Sequence, residues 1–246
     1  MSGFCRVLLD QSLKVTTNTS TDDVLPYKVA ALSGVTSLLT SVTPTMRSTS
    51  YQDTVDFQHF MYDLVGPRLF SFISDNQDST APVLIARALE CFAAAMYSGI
   101  GNTSVQSYDD PCVLLRFFAE STTKQPAWTV RQASALAASS LVACMPSVTL
   151  RRTESIKLVL DCSNETLKDK KFWKVRLAGL ELLHSLVSRV GNQKMSVVDA
   201  EKQLIMEAIL PYKELIIGVA RKSLADNESQ VTAAASKITQ TMAWWP

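Results

Sequence analysis

Phe172 to Val187 reads FWKVRLAGLELLHSLV, and Ala127 to Val142 reads AWTVRQASALAASSLV. Both place a tryptophan two residues before Val-Arg and an alanine three residues after the valine, at a spacing of 45 residues. A recurrence in the range of about 20–50 residues marks architectures built from stacked units, so it governs how every local motif is read. Val175, Ala178, Leu182, Leu186 and Val190 advance by threes and fours along one stripe, and Leu183 and Val187 widen it. That spacing predicts an amphipathic helix whose apolar face is covered by a neighbour. An alanine at the third position lets the neighbour approach closer than a leucine would.

Three further valines fit the same anchor. Val29 lies in PYKVAALSGVTSLL, Val83 in APVLIARALECFAAAM and Val231 in ESQVTAAASKITQTMA. With Val130 and Val175 they form a series separated by 54, 47, 45 and 56 residues, carrying Leu32, Ala86, Ala133, Ala178 and Ala234 three residues on. Between them lie other helical patterns. DPCVLLRFFAES offers Asp110 as an N-cap with Pro111 at the first helical position, and SVVDAEKQLIMEAIL opens with Ser196 and Asp199 in capping-box spacing. The expected map is therefore a series of helix pairs, A then B, at 3–15 and 23–41, 52–74 and 81–98, 110–123 and 126–145, 151–163 and 171–190, and 197–223 and 227–244. The corresponding repeats are 1–41, 52–98, 110–145, 151–190 and 197–246, together one array over 1–246. Pro211 removes a backbone donor inside the last A segment, which predicts a kink or a split there. The polar connections at 42–51 and 99–109 read as loops on one edge of the array. The fold class is all-α, an α-solenoid of about five helix pairs.

Composition narrows the function. A hydrophobic content of 47% is enough for a folded core. With 24 basic and 23 acidic residues the net charge is +1, so no general field draws in nucleic acid or anionic lipid. The most apolar window, APVLIARALECFAAAMYSGI, carries Arg87 and Glu90, which argues against membrane insertion. The N-terminal apolar run stops at Asp10, so no secretory signal is expected, and a cytoplasmic or nuclear location follows. Five cysteines, Cys5, Cys91, Cys112, Cys144 and Cys162, include no CxxC pair and read as reduced packing residues.

Helix pairs of this length with Val-Arg opening the second helix resemble the HEAT family of α-solenoids. In that family the arginine pairs with an aspartate of a neighbouring turn, a role the resemblance assigns to Arg131 and Arg176; Ala30, Leu84 and Thr232 occupy the matching positions elsewhere. From about Tyr27 onward, the order YKVAAL, LIARALECFAAAM and the Trp-x-Val helix opening at Trp128 also resembles the C-terminal region of the proteasome adaptor and scaffold family. That likeness implies a non-catalytic scaffold or adaptor that binds a large protein complex, the proteasome.

Chemistry-bearing constellations are few. His59 has Asp56 and Asp63 within helical reach, the one spacing that would suit a metal-dependent helical enzyme, but a metal there needs ligands from another helix and none is indicated. His184 lies beside Leu183, away from the main stripe. Gly99-x-Gly101 follows a helix rather than a strand, the wrong context for a phosphate loop. No cofactor, metal or small-molecule substrate is expected. Partner contacts are expected at the basic runs Arg151-Arg152 and Lys168 to Lys174, with Lys170 and Lys171 foremost, and at Trp244-Trp245, which would otherwise cap the last repeat. A cargo carrier or phosphatase scaffold resembling the import receptors is the alternative, but the acidic inner faces or asparagine and tryptophan ladders of those families are not found. The Ser/Thr-rich stretches TTNTSTDD and SVTPTMRSTS have the composition of phosphorylatable loops.

Overall fold

A computed structural model describes residues 7, 25–46, 66–75, 81–98, 111–191 and 200–246. The described residues are all-helical, as the periodicity predicts, and contain no strand. The helices are α1 (Leu25–Met46), α2 (Gly66–Asp75), α3 (Pro82–Ser98), α4 (Pro111–Lys124), α5 (Trp128–Cys144), the single turn α6 (Ser147–Leu150), α7 (Thr153–Leu167), α8 (Trp173–Ser188), α9 (Ala200–Ile209), α10 (Lys213–Ser223) and α11 (Ser229–Met242). They fall in two compact units, Met1–Thr103 and Ser104–Pro246, where the sequence reading has one array.

In the first unit α3 packs against both α1 and α2. A helix covered on two sides is apolar nearly all round: Leu84, Ile85, Ala88, Leu89, Cys91, Phe92 and Met96 are buried, while the exposed Arg87 pairs with Glu90 one turn on. This two-sided burial accounts for the most apolar window in the chain. No described helix is long and apolar enough to cross a membrane. On α1, Leu32, Val35 and Leu39 form the buried stripe, and the helix continues to Met46, past the expected boundary at residue 41.

In the second unit the helices pack on sequence neighbours, and the B helices pack on one another in series. α4 packs on α5, α7 on α8 and α10 on α11; α5, α8 and α11 pack in that order, and α4 packs on α7. Pro111 begins α4 as expected of a residue with no N–H to donate. The last A segment breaks where Pro211 lies, into α9, a 3-10 turn over Leu210–Tyr212 and α10.

Val130, Val175 and Val231 are buried together with Ala86, Ala133 and Ala178. Three other positions depart from the expected pattern. Val83 is 48% exposed, and its neighbours Leu84, Ile85 and Ala86 carry the burial. On α11 the buried alanine is Ala235, one residue beyond Ala234, which is half-buried. Val29 is also only half-buried.

A close helix approach lies at a residue the alanine pattern passes over. A Cβ built on Gly179 of α8 would sit 1.9 Å from Thr166 Oγ1 and 3.3 Å from the Ser163 carbonyl oxygen of α7. Thr166 cannot swing aside freely, because its hydroxyl donates to Cys162 O (3.1 Å) and Ser163 O (2.8 Å). Gly179→Ala gains the usual helix-propensity advantage of about 1 kcal/mol over glycine. The overlap outweighs it: a net loss of about 1–3 kcal/mol is expected in urea unfolding, partly restored by adding Thr166→Ala.

Candidate functional site

Arg131, in the first turn of α5, donates from Nη2 to Asp169 Oδ2 at 2.6 Å and from Nη1 to the carbonyls of Gln125 (3.0 Å) and Pro126 (2.7 Å). Arg176, the equivalent residue of α8, makes a bidentate pair with Asp226, Nε to Oδ2 at 2.7 Å and Nη2 to Oδ1 at 2.9 Å, and donates from Nη1 to Asp169 O at 2.8 Å. Each arginine thus holds the turn leading into its own helix and the aspartate of the next turn. The planar guanidinium fork serves both from separate nitrogens held in fixed geometry, which the single nitrogen of a lysine does not offer.

The aspartates are themselves anchored by backbone. Asp169 Oδ1 accepts from the N–H groups of Lys171 (3.0 Å) and Phe172 (2.9 Å), and Asp226 Oδ1 from that of Glu228 (3.0 Å). Burial alone would raise the Asp169 carboxyl, but Arg131 and the two N–H groups outweigh it and hold the carboxyl below its usual range. For Asp226 the hydrogen bonds from Arg176 dominate and act in the same direction against a smaller opposing effect of burial. All four side chains keep less than a fifth of their surface exposed.

At the opposite end of α5, Arg189, just past α8, donates to Ala143 O at 2.8 Å and Ser147 Oγ at 3.2 Å. It satisfies a carbonyl that the helix end leaves without an intrahelical partner. Between the two clamps Ser139 of α5 and Ser185 of α8 are hydrogen-bonded at 2.8 Å. The α5–α8 contact is therefore fixed by polar bonds at both ends and in the middle.

The starts of α5, α8 and α11 share one edge, since Arg131 and Arg176 tie each to the next. On that edge Trp128 stacks on Phe172 with ring centroids 5.0 Å apart and planes 14° from parallel. Lys174 Nζ lies 5.9 Å from the Trp128 ring and 5.8 Å from Trp173, and Lys171 Nζ lies 5.2 Å from Phe172. Lys170, Lys171 and Lys174 are exposed. Nearby, Arg176 and Asp226 also line a groove of about 540 Å³ between α7 and α10, with Asp161, Glu165 and Lys222 on its walls.

The remaining expected contacts disperse. Arg152 is exposed and Arg151 half-buried, its Nε enclosed without a hydrogen-bond partner. The two terminal indoles separate: Trp244 is 53% exposed, whereas Trp245 is 5% exposed, with Lys213 Nζ donating to its carbonyl at 2.9 Å. Trp245 is a packing residue in this structure, not a surface contact. His59, Asp56, Asp63, Cys5, Gly99 and Gly101 lie outside the described residues, as do the stretch TTNTSTDD, residues 47–50 of the second Ser/Thr-rich stretch and the capping residues Asp110, Ser196 and Asp199. Among the described residues no group of three His, Cys, Asp or Glu side chains could hold a metal. Burial pushes the Cys162 thiol up to about 12, far from a reactive thiolate. No protein-family model matches the chain, and no curated protein matches it.

In the unfolded chain Asp226 titrates at its ordinary value, about 3.9; in the folded protein it titrates lower. Its stabilising contribution is fully present above the unfolded value and disappears as pH falls through the folded one. Asp226→Asn should cost about 2–3 kcal/mol at neutral pH. The gap from the unaltered protein should narrow as urea unfolding is repeated below about pH 4.

Proposed function

We propose that the chain is a non-catalytic α-solenoid scaffold of HEAT-like pairs that binds a large protein assembly, with the proteasome as that assembly. The observation that carries the solenoid reading is the Arg131–Asp169 and Arg176–Asp226 series, in which one arginine position recurs on successive B helices and reaches the next turn each time. Stacked pairs joined in this way leave one edge and the outer helix ridges as a continuous surface, the form in which repeat proteins bind other macromolecules. The near-zero net charge and the deeply buried Cys162 thiol favour binding to protein over nucleic-acid or thiol chemistry. The proteasome is what the resemblance of YKVAAL, LIARALECFAAAM and the helix from Trp128 implies.

Affinity isolation of the tagged chain from gently lysed cells at low salt, followed by native electrophoresis and mass spectrometry, tests the reading. Near-stoichiometric proteasome subunits are the expected result. Recovery of import factors, of a phosphatase or of no assembly would remove the assignment. Trp244→Ala is the appropriate companion variant, because substitution of buried Trp245 would disturb packing.

A further inference from the structure

The turn before α8 carries two sets of groups with different fates. Asp169 is fully engaged, taking Arg131 on one oxygen and two backbone N–H groups on the other. Lys168 is paired with Glu165 in the preceding turn. Lys170, Lys171 and Lys174 have no acidic partner among the described residues. Of the other exposed cations of this unit, Lys124 pairs with Glu120 and Arg116 with Glu154, while Lys157, Arg221 and Lys222 also make no ion pair among the described residues but do not share one turn with aromatic rings. In a chain with 24 basic and 23 acidic residues, three adjacent uncompensated ammonium groups are a local departure from balance.

These lysines are also held against aromatic surface. Lys171 lies over Phe172, and Lys174 lies over Trp128 and Trp173 together. A cation resting on a ring face keeps its charge available while losing part of its rotamer freedom before any partner arrives, which lowers the entropic cost of using it. Trp128, Phe172 and Trp173 are half-buried, so each ring still offers a rim to a ligand. Arg131 and two backbone N–H groups hold Asp169 in the turn from which the ledge projects.

The geometry points to this ledge as the docking site for an acidic segment of a protein partner, its carboxylates meeting Lys170, Lys171 and Lys174 and an aromatic side chain lying against Trp128 and Phe172. A protein segment fits better than a polynucleotide. Three positive charges on a chain with a net charge of +1 neutralise a short row of carboxylates but provide no track along a phosphate backbone. The inference rests on the scaffold reading for its biological setting and on the ledge alone for its chemistry.

The full chain is titrated, by fluorescence anisotropy at low and at physiological salt, into a labelled peptide of glutamates around a central tyrosine. The same peptide with glutamines and an oligothymidylate serve as the other probes. The glutamate peptide is expected to bind, to weaken with salt, and to lose about tenfold or more in affinity in Lys170→Glu/Lys171→Glu/Lys174→Glu. Should the triple variant melt at lower temperature, Lys170→Glu/Lys171→Glu, which leaves the contacts of Lys174 intact, is expected to retain the folded melting curve and most of the loss. Equal binding of the glutamine peptide, tighter binding of oligothymidylate, no binding, or unchanged affinity after charge reversal overturns the ledge. Proteasome capture by the unaltered chain and the reversed variant alike, with peptide binding unchanged between them, overturns the ledge and leaves the scaffold standing. Peptide binding that depends on the lysines, without capture of any assembly, sustains the ledge and removes the scaffold reading.

Discussion

A single arginine at the start of each of two helices holds the second unit in register. Apolar packing between α5, α8 and α11 supplies most of the driving force, but apolar surface is tolerant of sliding. The Arg131–Asp169 and Arg176–Asp226 pairs are not tolerant: a planar fork meets an acceptor at only a narrow set of positions. Partly buried ion pairs often add little net stability, because removing both ions from water offsets their attraction. Their consequence here is geometric. Each aspartate, held by its own turn and by the preceding arginine, sets where the next B helix begins, and Arg189 fixes the far end of α5.

This arrangement links local sequence to a surface. Because the helix starts are aligned, Trp128 of one pair meets Phe172 of the next in a near-parallel stack. Because Asp169 is committed to Arg131 and its own turn, Lys170, Lys171 and Lys174 beyond it are left outward without an acidic partner among the described residues. The basic run Lys168 to Lys174 therefore contains three different elements: a helix-end ion pair at Lys168, a structural aspartate at position 169, and a cationic ledge made by the residues that follow.

Much of the helical plan was legible because the A and B patterns alternate, with anchors 45 to 56 residues apart. The arginine positions could be read from Val-Arg, and the break near Pro211 from the missing N–H. The acceptor Asp226 was harder to read. It stands five residues before Val231, whereas Asp169 stands six before Val175, so exact repeat spacing misaligns the two. On α3, apolar residues occupy both faces, and a valine anchor cannot tell which face is inward; Val83 is exposed for that reason. On α11 three consecutive alanines leave the buried one undetermined by composition, and the structure selects Ala235. Gly179 was hidden behind Ala178, since either small residue explains a close approach and only coordinates show which Cβ would collide. The aromatic stack depends on two residues 44 apart in sequence, so no local pattern announces it.

The arginine–aspartate pairs couple successive helix pairs, and a double-mutant cycle at Arg131 and Asp169 measures that coupling directly. Urea unfolding of Arg131→Ala, Asp169→Ala and the double variant should give an interaction energy of about 1–3 kcal/mol at neutral pH, since the two side chains share one largely buried bond. Additive losses, with no interaction energy beyond a few tenths of a kcal/mol, would show that the turns are positioned independently of the arginines and would contradict the account.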